Sequence, residues 1–183
     1  MIFADRQFIM KDGRTCTLTP STADYAQQLI DYMKITAGET DFLLRYPDEI
    51  NYTLEGEIAF LNNAYDDEKS IMMAAVVDGQ IAGNGSINGI APFRRVNHRA
   101  SLAIALKQEY WGMGIGRQLM EYMLELAAQI GYEQAELAVI DGNDRARALY
   151  EKCGFVETGR NINAIKYDDG TYCDEIIMYK KLG

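Results

Sequence analysis

Histidine is nearly missing from this chain, with His98 the single example, and cysteine is sparse, with Cys16, Cys153 and Cys173 far apart and in no C-x-x-C pair. A zinc site needs clustered Cys and His ligands, and a disulfide framework needs cysteines in pairs. Neither is expected, no metal is expected, and the thiols read as small core residues. Basic charge is short as well: 18 Lys and Arg stand against 27 Asp and Glu, a net charge of -9. Nucleic-acid binding relies on a basic face that neutralises phosphates, so no nucleic-acid partner is expected. An acidic surface instead steers cations such as amines toward the protein, although it also serves simple solubility. Long apolar runs are absent, which argues against a bilayer span and a membrane partner. The opening stretch MIFADRQFIMKDGR mixes charges among its apolar residues, unlike a signal peptide, so a cytoplasmic location is expected.

What remains is ordinary for a globular protein: 48% hydrophobic and 25% charged residues over 183 positions, enough for one domain spanning 1–183. A short strand pair surrounds the KDGR turn and runs into 15–19. Pro20, Ser21 and Asp24 then open a helix, with Ser21 as its N-cap, that continues to about Thr36. Residues 37–51 read as a loop broken at Tyr46-Pro47, and a second helix is expected over 53–63. Asp78-Gly79 joins the runs IMMAAVV and QIAGNGSI as a hairpin, and RASLAIAL forms the next strand. Ile115, Leu119, Tyr122, Met123, Leu126 and Ile130 recur at helical spacing until Gly131. A strand over 134–140, a short helix over 144–153 and a closing strand pair around Tyr167-Asp168-Asp169-Gly170 complete the chain. The order predicts an α/β (α+β) fold, a mixed sheet flanked by helices.

Two stretches carry chemistry. Residues 108–120, QEYWGMGIGRQLM, place Gly112, Gly114 and Gly116 between a strand and an apolar helix. Bare amides at the positive end of a helix dipole suit a phosphate or diphosphate, each amide contributing roughly 1.5–3 kcal/mol. The P-loop and the Rossmann fingerprint both fail to match this spacing, and a plain flexible turn is the alternative reading. Residues 143–155 read NDRARALYEKCGF. Together, G-x-G-x-x-L and N-x-x-A-x-x-L-Y-x-x-x-G-F resemble motifs A and B of the GNAT superfamily of N-acetyltransferases, and the likeness extends over nearly the whole chain.

That resemblance implies a GNAT-like acyl-CoA N-acyltransferase fold with acetyl-CoA between splayed central strands. It implies that the backbone of Ile104, Ala105 and Leu106 bonds the pantetheine arm. Gly112, Met113, Gly114, Ile115, Gly116 and Arg117 would cradle the diphosphate, Asn143 would meet the pantetheine, and Lys152 would reach the cofactor's anionic end. Trp111 departs from the family, which often has Gln or Arg there. Tyr150 matches the tyrosine assigned as general acid. Against a thiol near ~8.5, its reference value near ~10 makes proton donation uphill by roughly 2 kcal/mol. A backbone N–H at Leu106 or its neighbour would meet the oxyanion. Candidates for the general base are Glu109, His98, Glu39 and Asp41. Glu39 and Asp41 also fall where the superfamily forms its acceptor pocket, with Tyr46, Phe93, Tyr167 and Tyr172 as possible lining.

The expected activity is acetyl-CoA-dependent transfer to a primary amine of a small molecule such as an amino acid or polyamine. Alternatives are acetylation of a protein N-terminus, as in the ribosomal-protein type, or a non-catalytic acyl-CoA-binding sensor, against which Tyr150 and Asn143 both argue. The family resemblance also points to a homodimer.

Overall fold

The computed structural model describes residues 3–183. In chain order the elements are β1 (Arg6–Ile9), β2 (Thr15–Pro20), α1 (Ala26–Glu39), α2 (Leu54–Asp66), β3 (Ile71–Val77), β4 (Gln80–Gly89) and β5 (Arg99–Leu106). They continue with α3 (Ile115–Ile130), β6 (Gln134–Ile140), α4 (Asp144–Lys152), β7 (Val156–Lys166) and β8 (Tyr172–Lys181). The eight strands form one sheet in the order β1-β2-β3-β4-β5-β6-β8-β7. Every neighbouring pair is antiparallel except β5 and β6. A parallel pair cannot be closed by a tight turn, and α3 is the crossover that makes this one possible.

Consecutive strand residues point to opposite faces, and they sort the helices accordingly. Ile104 and Leu106 pack into the larger core with Leu102, Ile115, Leu119, Met123 and Met178. Ala105, between them, packs into a second core of Ala26, Leu29, Tyr32, Leu61 and Ile81. So α3 covers one face of the sheet, and α1 with α2 covers the other. The helical spacing read in α3 is the buried stripe Ile115, Leu119, Met123 and Leu126.

Three local expectations change. Ser21 does not cap a helix: it is buried, and its hydroxyl accepts from Asn84 Nδ2 at 3.1 Å, while a short 3-10 turn over Ala23–Tyr25 precedes α1. The first helix runs to Glu39 rather than Thr36, because Thr36 turns its hydroxyl back onto the Tyr32 carbonyl at 3.0 Å and stays helical. The second begins at Leu54, with Thr53 as its N-cap accepting from Gly56 N.

The feature that positions the site is the parting of β5 and β6. They pair only through Arg99 with Gln134, Ala100 with Ala135 and Ser101 with Glu136. Beyond that root β5 stays with β4 as far as Leu106, and β6 stays with β8 as far as Ile140. Arg99 grips Glu136 across the root with two bonds of 2.5 and 2.6 Å, and Gln134 Nε2 donates to the same carboxylate. Charge-assisted, two-pronged pairing of this kind fixes geometry as well as adding energy.

Candidate active site

From Ser101 onward the β6-facing edge of β5 is open, so Ile104 and Leu106 present backbone groups to a cleft, while Ala105, expected to do the same, lies opposite Asn84 with its backbone groups turned to β4. A short 3-10 turn, Gln108–Tyr110, and the glycine stretch follow. Tyr110 is buried and anchors this loop, and Lys11 N donates to Met113 O at 3.4 Å from the β1–β2 turn. The Trp111 indole N–H donates to the Leu106 carbonyl at 3.0 Å. Gly112 (φ 76°) and Gly114 (φ 98°) occupy the left-handed region, with no atom within 4 Å of a notional Cβ at either. Backbone conformation, not crowding, therefore requires glycine at both. Gly116 serves a different end. A Cβ there would lie 3.1 Å from Leu149 Cδ2, so this glycine lets α3 seat against α4.

Among the described residues, the N–H groups of Gly112, Gly114, Ile115, Gly116 and Arg117 donate to no protein acceptor. Five bare donors at the start of a 16-residue helix fit a diphosphate, the group that acetyl-CoA would place there. The Arg117 side chain turns away to Glu121 at 2.7 Å, so its contribution to this cradle is its amide. The Lys107 N–H is taken by Ala82 O at 3.0 Å, which leaves Leu106 of the two amides considered for an oxyanion.

On the opposite wall, Asn143 caps α4, its Oδ1 accepting from Ala146 N at 3.2 Å, so only its amide nitrogen is free for a ligand. Tyr150 follows two turns later, buried and tilted against Phe155 at 6.1 Å between ring centroids. Its hydroxyl makes no hydrogen bond to the described residues. Burial, with a smaller contribution from Cys153, pushes its pKa up to about 12. Lys152 is exposed in the last turn of α4. Arg145, in the first turn, lies over the Trp111 ring at 4.2 Å.

Past the end of β5 opens a second cleft of about 720 Å³. Its walls are Glu39, Asp41 and Tyr46 from the α1–α2 segment, Gln108 and Trp111 from the loop after β5, and Tyr167, Asp168 and Asp169 from the β7–β8 turn. Glu39 is anchored across it, its Oε2 accepting from Gln108 N at 2.6 Å. The two outer walls are tied: Asp168 N donates to Tyr46 Oη at 3.0 Å, and Tyr167 Oη donates to Asp41 O at 3.4 Å. Bonds from Thr171 Oγ1 and N hold the Asp169 carboxyl below its ordinary range.

The structure thus brings Glu39, Asp41, Tyr46 and Tyr167 to one cleft, and it adds Asp168, Asp169 and Gln108, which were not singled out from sequence as site residues. A DDG turn already explains both aspartates, so nothing in their spacing marks them as lining. His98 is corrected. It sits before the first residue of β5, eight residues from Leu106, roughly 26 Å away in an extended strand. Its carbonyl accepts from Glu133 N at 2.8 Å at the closed root. Phe93 lies in the loop at that same end, 71% exposed, and Tyr172 stands outside the cleft under Lys166. Glu109 is exposed in the turn after β5 and is not among the lining residues. No group of three His, Cys, Asp or Glu among the described residues is placed to hold a metal.

With this geometry in view, residues 36–155 match the model of the acetyltransferase (GNAT) family. The structure of a GNAT-family acetyltransferase from Streptococcus pneumoniae superimposes with a TM-score of 0.86 at 30% identity, over 92% of this chain and 99% of that one. The ribosomal protein bS18-alanine N-acetyltransferase of Escherichia coli K12 is 34% identical over 100 residues, 54% of this chain and 67% of that one. An acetyltransferase fold from Salmonella typhimurium, solved with acetyl-CoA, gives a TM-score of 0.80 at 14% identity, over 92% of this chain and 94% of its own. The chain belongs to the acetyltransferase (GNAT) family as an N-acetyltransferase that uses acetyl-CoA.

Proposed function

We propose that residues 1–183 act as one domain that acetylates a primary amine at a peptide or protein N-terminus, bound in the acidic, aromatic cleft at the end of β5. The observation that carries this is the cleft's composition. Glu39, Asp41, Asp168 and Asp169 face it together with Tyr46 and Tyr167, and no Lys or Arg is among its lining. An ammonium group is attracted by such a wall both through charge and through the aromatic faces. The E. coli relative's name assigns it a ribosomal-protein N-terminal alanine, which favours a polypeptide acceptor. A small polyamine or amino acid is the second reading, favoured by the presence of four carboxylates, more than a single terminal amine needs.

Acetyl-CoA supplies a thioester carbonyl at the end of β5 when bound. The free edge of β5, at Ile104 and Leu106, holds the arm as an added strand would. The Leu106 amide is placed for the oxyanion. Glu39, anchored on Gln108 N, is the carboxylate best placed to receive the amine's proton, ahead of Glu109 on the exposed turn. Tyr150 keeps its proton at any physiological pH and gives it to the departing thiolate. Its burial makes that transfer steeper than its ordinary value implies. From about 12 down to a thiol near ~8.5 is roughly 5 kcal/mol, against about 17 kcal/mol for a barrier crossed once per second, so the step fits.

Free cysteines throughout fit a reducing cytoplasm. The outermost strand β7, with Val156 55% and Ile162 69% exposed, fits pairing with a second copy, which sedimentation of the purified chain checks. The acceptor reading is tested by CoA thiol release with free and N-terminally blocked peptides beside spermidine. Turnover of free peptides alone supports it. Turnover of spermidine alone transfers the reading to small amines, and no release with any acceptor sinks both.

A further inference from the structure

Arginines in this chain are mostly spoken for. Arg6, Arg14, Arg99, Arg117, Arg147 and Arg160 each contact a carboxylate. Arg145 has no carboxylate partner among the described residues and instead lies over the Trp111 ring at 4.2 Å. The two residues belong to opposite walls. Trp111 directly precedes Gly112 on the β5 side, pinned by its bond to the Leu106 carbonyl. Arg145 stands two residues past the cap of α4 on the β6 side. Their contact therefore crosses the groove beside the bare amides.

The surroundings explain why a free cation there matters. The chain carries a net charge of -9, and the adjoining cleft presents Glu39, Asp41, Asp168 and Asp169. That field opposes an anionic cofactor. The cradle itself contains one cationic side chain, Arg117, and it is engaged with Glu121. Lys152 is at the far end of α4 from Arg145, roughly 10 Å along the helix axis.

We propose that Arg145 is a further cofactor-binding residue, held on the Trp111 face in the free protein and engaging the phosphates of acetyl-CoA when they occupy the Gly112–Arg117 amides. This rests on the acetyl-CoA reading of that cradle. A planar guanidinium suits both roles, since it stacks on an indole and pairs two-pronged with phosphate oxygens.

The test is calorimetric titration of the full chain with acetyl-CoA for the unaltered protein, Arg145→Gln and Arg145→Lys, at low and high salt. Arg145 is exposed, so neither substitution touches the core. Arg145→Gln is expected to weaken binding on the order of tenfold at low salt, with the gap narrowing at high salt. Arg145→Lys, which keeps the charge but not the planar fork, is expected to recover part of the loss. Trp111, the only tryptophan, gives a second readout: its emission should change on cofactor addition in the unaltered chain and less so in Arg145→Gln. Binding of Arg145→Gln within twofold of the unaltered chain overturns the proposal. So does an equal, salt-independent loss in both variants, which would mark a structural role. Failure of the unaltered chain to bind acetyl-CoA would instead overturn the cradle reading itself.

Discussion

The two halves of the site are built by different means. The proposed cofactor side is backbone: an open strand edge, two left-handed glycines and five donors that no group among the described residues satisfies. The proposed acceptor side is side chains, drawn from the α1–α2 segment, the loop after β5 and the β7–β8 turn. A backbone cradle tolerates most changes of side chain but no change of conformation. A side-chain cleft can be rewritten residue by residue without disturbing the fold. One cofactor served by many acceptors is what that division permits.

The sharpest way to break the cofactor half is Gly114→Asp. There is open space for the new side chain, but it brings negative charge to the anion site and strains φ 98°. Acetyl-CoA binding should vanish in a calorimetric titration while the melting curve stays cooperative. Next is Tyr150→Phe, which removes the proton donor but keeps the ring packed on Phe155. Its kcat should fall roughly 10²–10⁴-fold with acetyl-CoA affinity nearly unchanged, and steady-state kinetics with binding data separate the two.

The acceptor half should respond in KM instead. Asp168→Asn with Asp169→Asn should raise the acceptor KM about tenfold and leave the KM for acetyl-CoA alone, because neither residue reaches the cradle. The smallest effect belongs to the root that holds both halves in register. Hydrogen bonding from Arg99, then from Gln134, keeps the Glu136 carboxyl below its ordinary value of 4.5. A depressed carboxyl stabilises the fold above its unfolded pKa, and that contribution is lost as pH falls through 4.5 and below. Glu136→Gln should therefore cost about 1 kcal/mol in urea unfolding at pH 7, and the difference should shrink by pH 4.

The same division explains what could be read in advance. The glycine turn was legible because glycine is needed where φ is positive, and the α4 helix because Asn143, Leu149 and Tyr150 hold local positions along it. The order of strands followed from turns and periodicity. Gly116 was legible as part of the motif but not in its purpose, since its contact with Leu149 comes from another helix. Asp168 and Asp169 were hidden because a turn accounts for them locally, and it is the bonds from Asp168 N to Tyr46 and from Tyr167 to Asp41 O that show the hairpin folding over the cleft. His98 stands at the start of the same strand but at the end away from the cleft, a distinction that depends on where β5 leaves β6.

The central claim is that the bare amides of Gly112 and of residues 114–117 hold the cofactor, the Met113 N–H being taken by Tyr110 O. Amide hydrogen exchange with and without acetyl-CoA reads it directly. Exchange across 112–117 should slow markedly on cofactor addition, while the loop around His98, at the closed end of β5, stays unchanged. Binding of acetyl-CoA with no new protection in 112–117 would contradict the account and place the cofactor elsewhere on the chain.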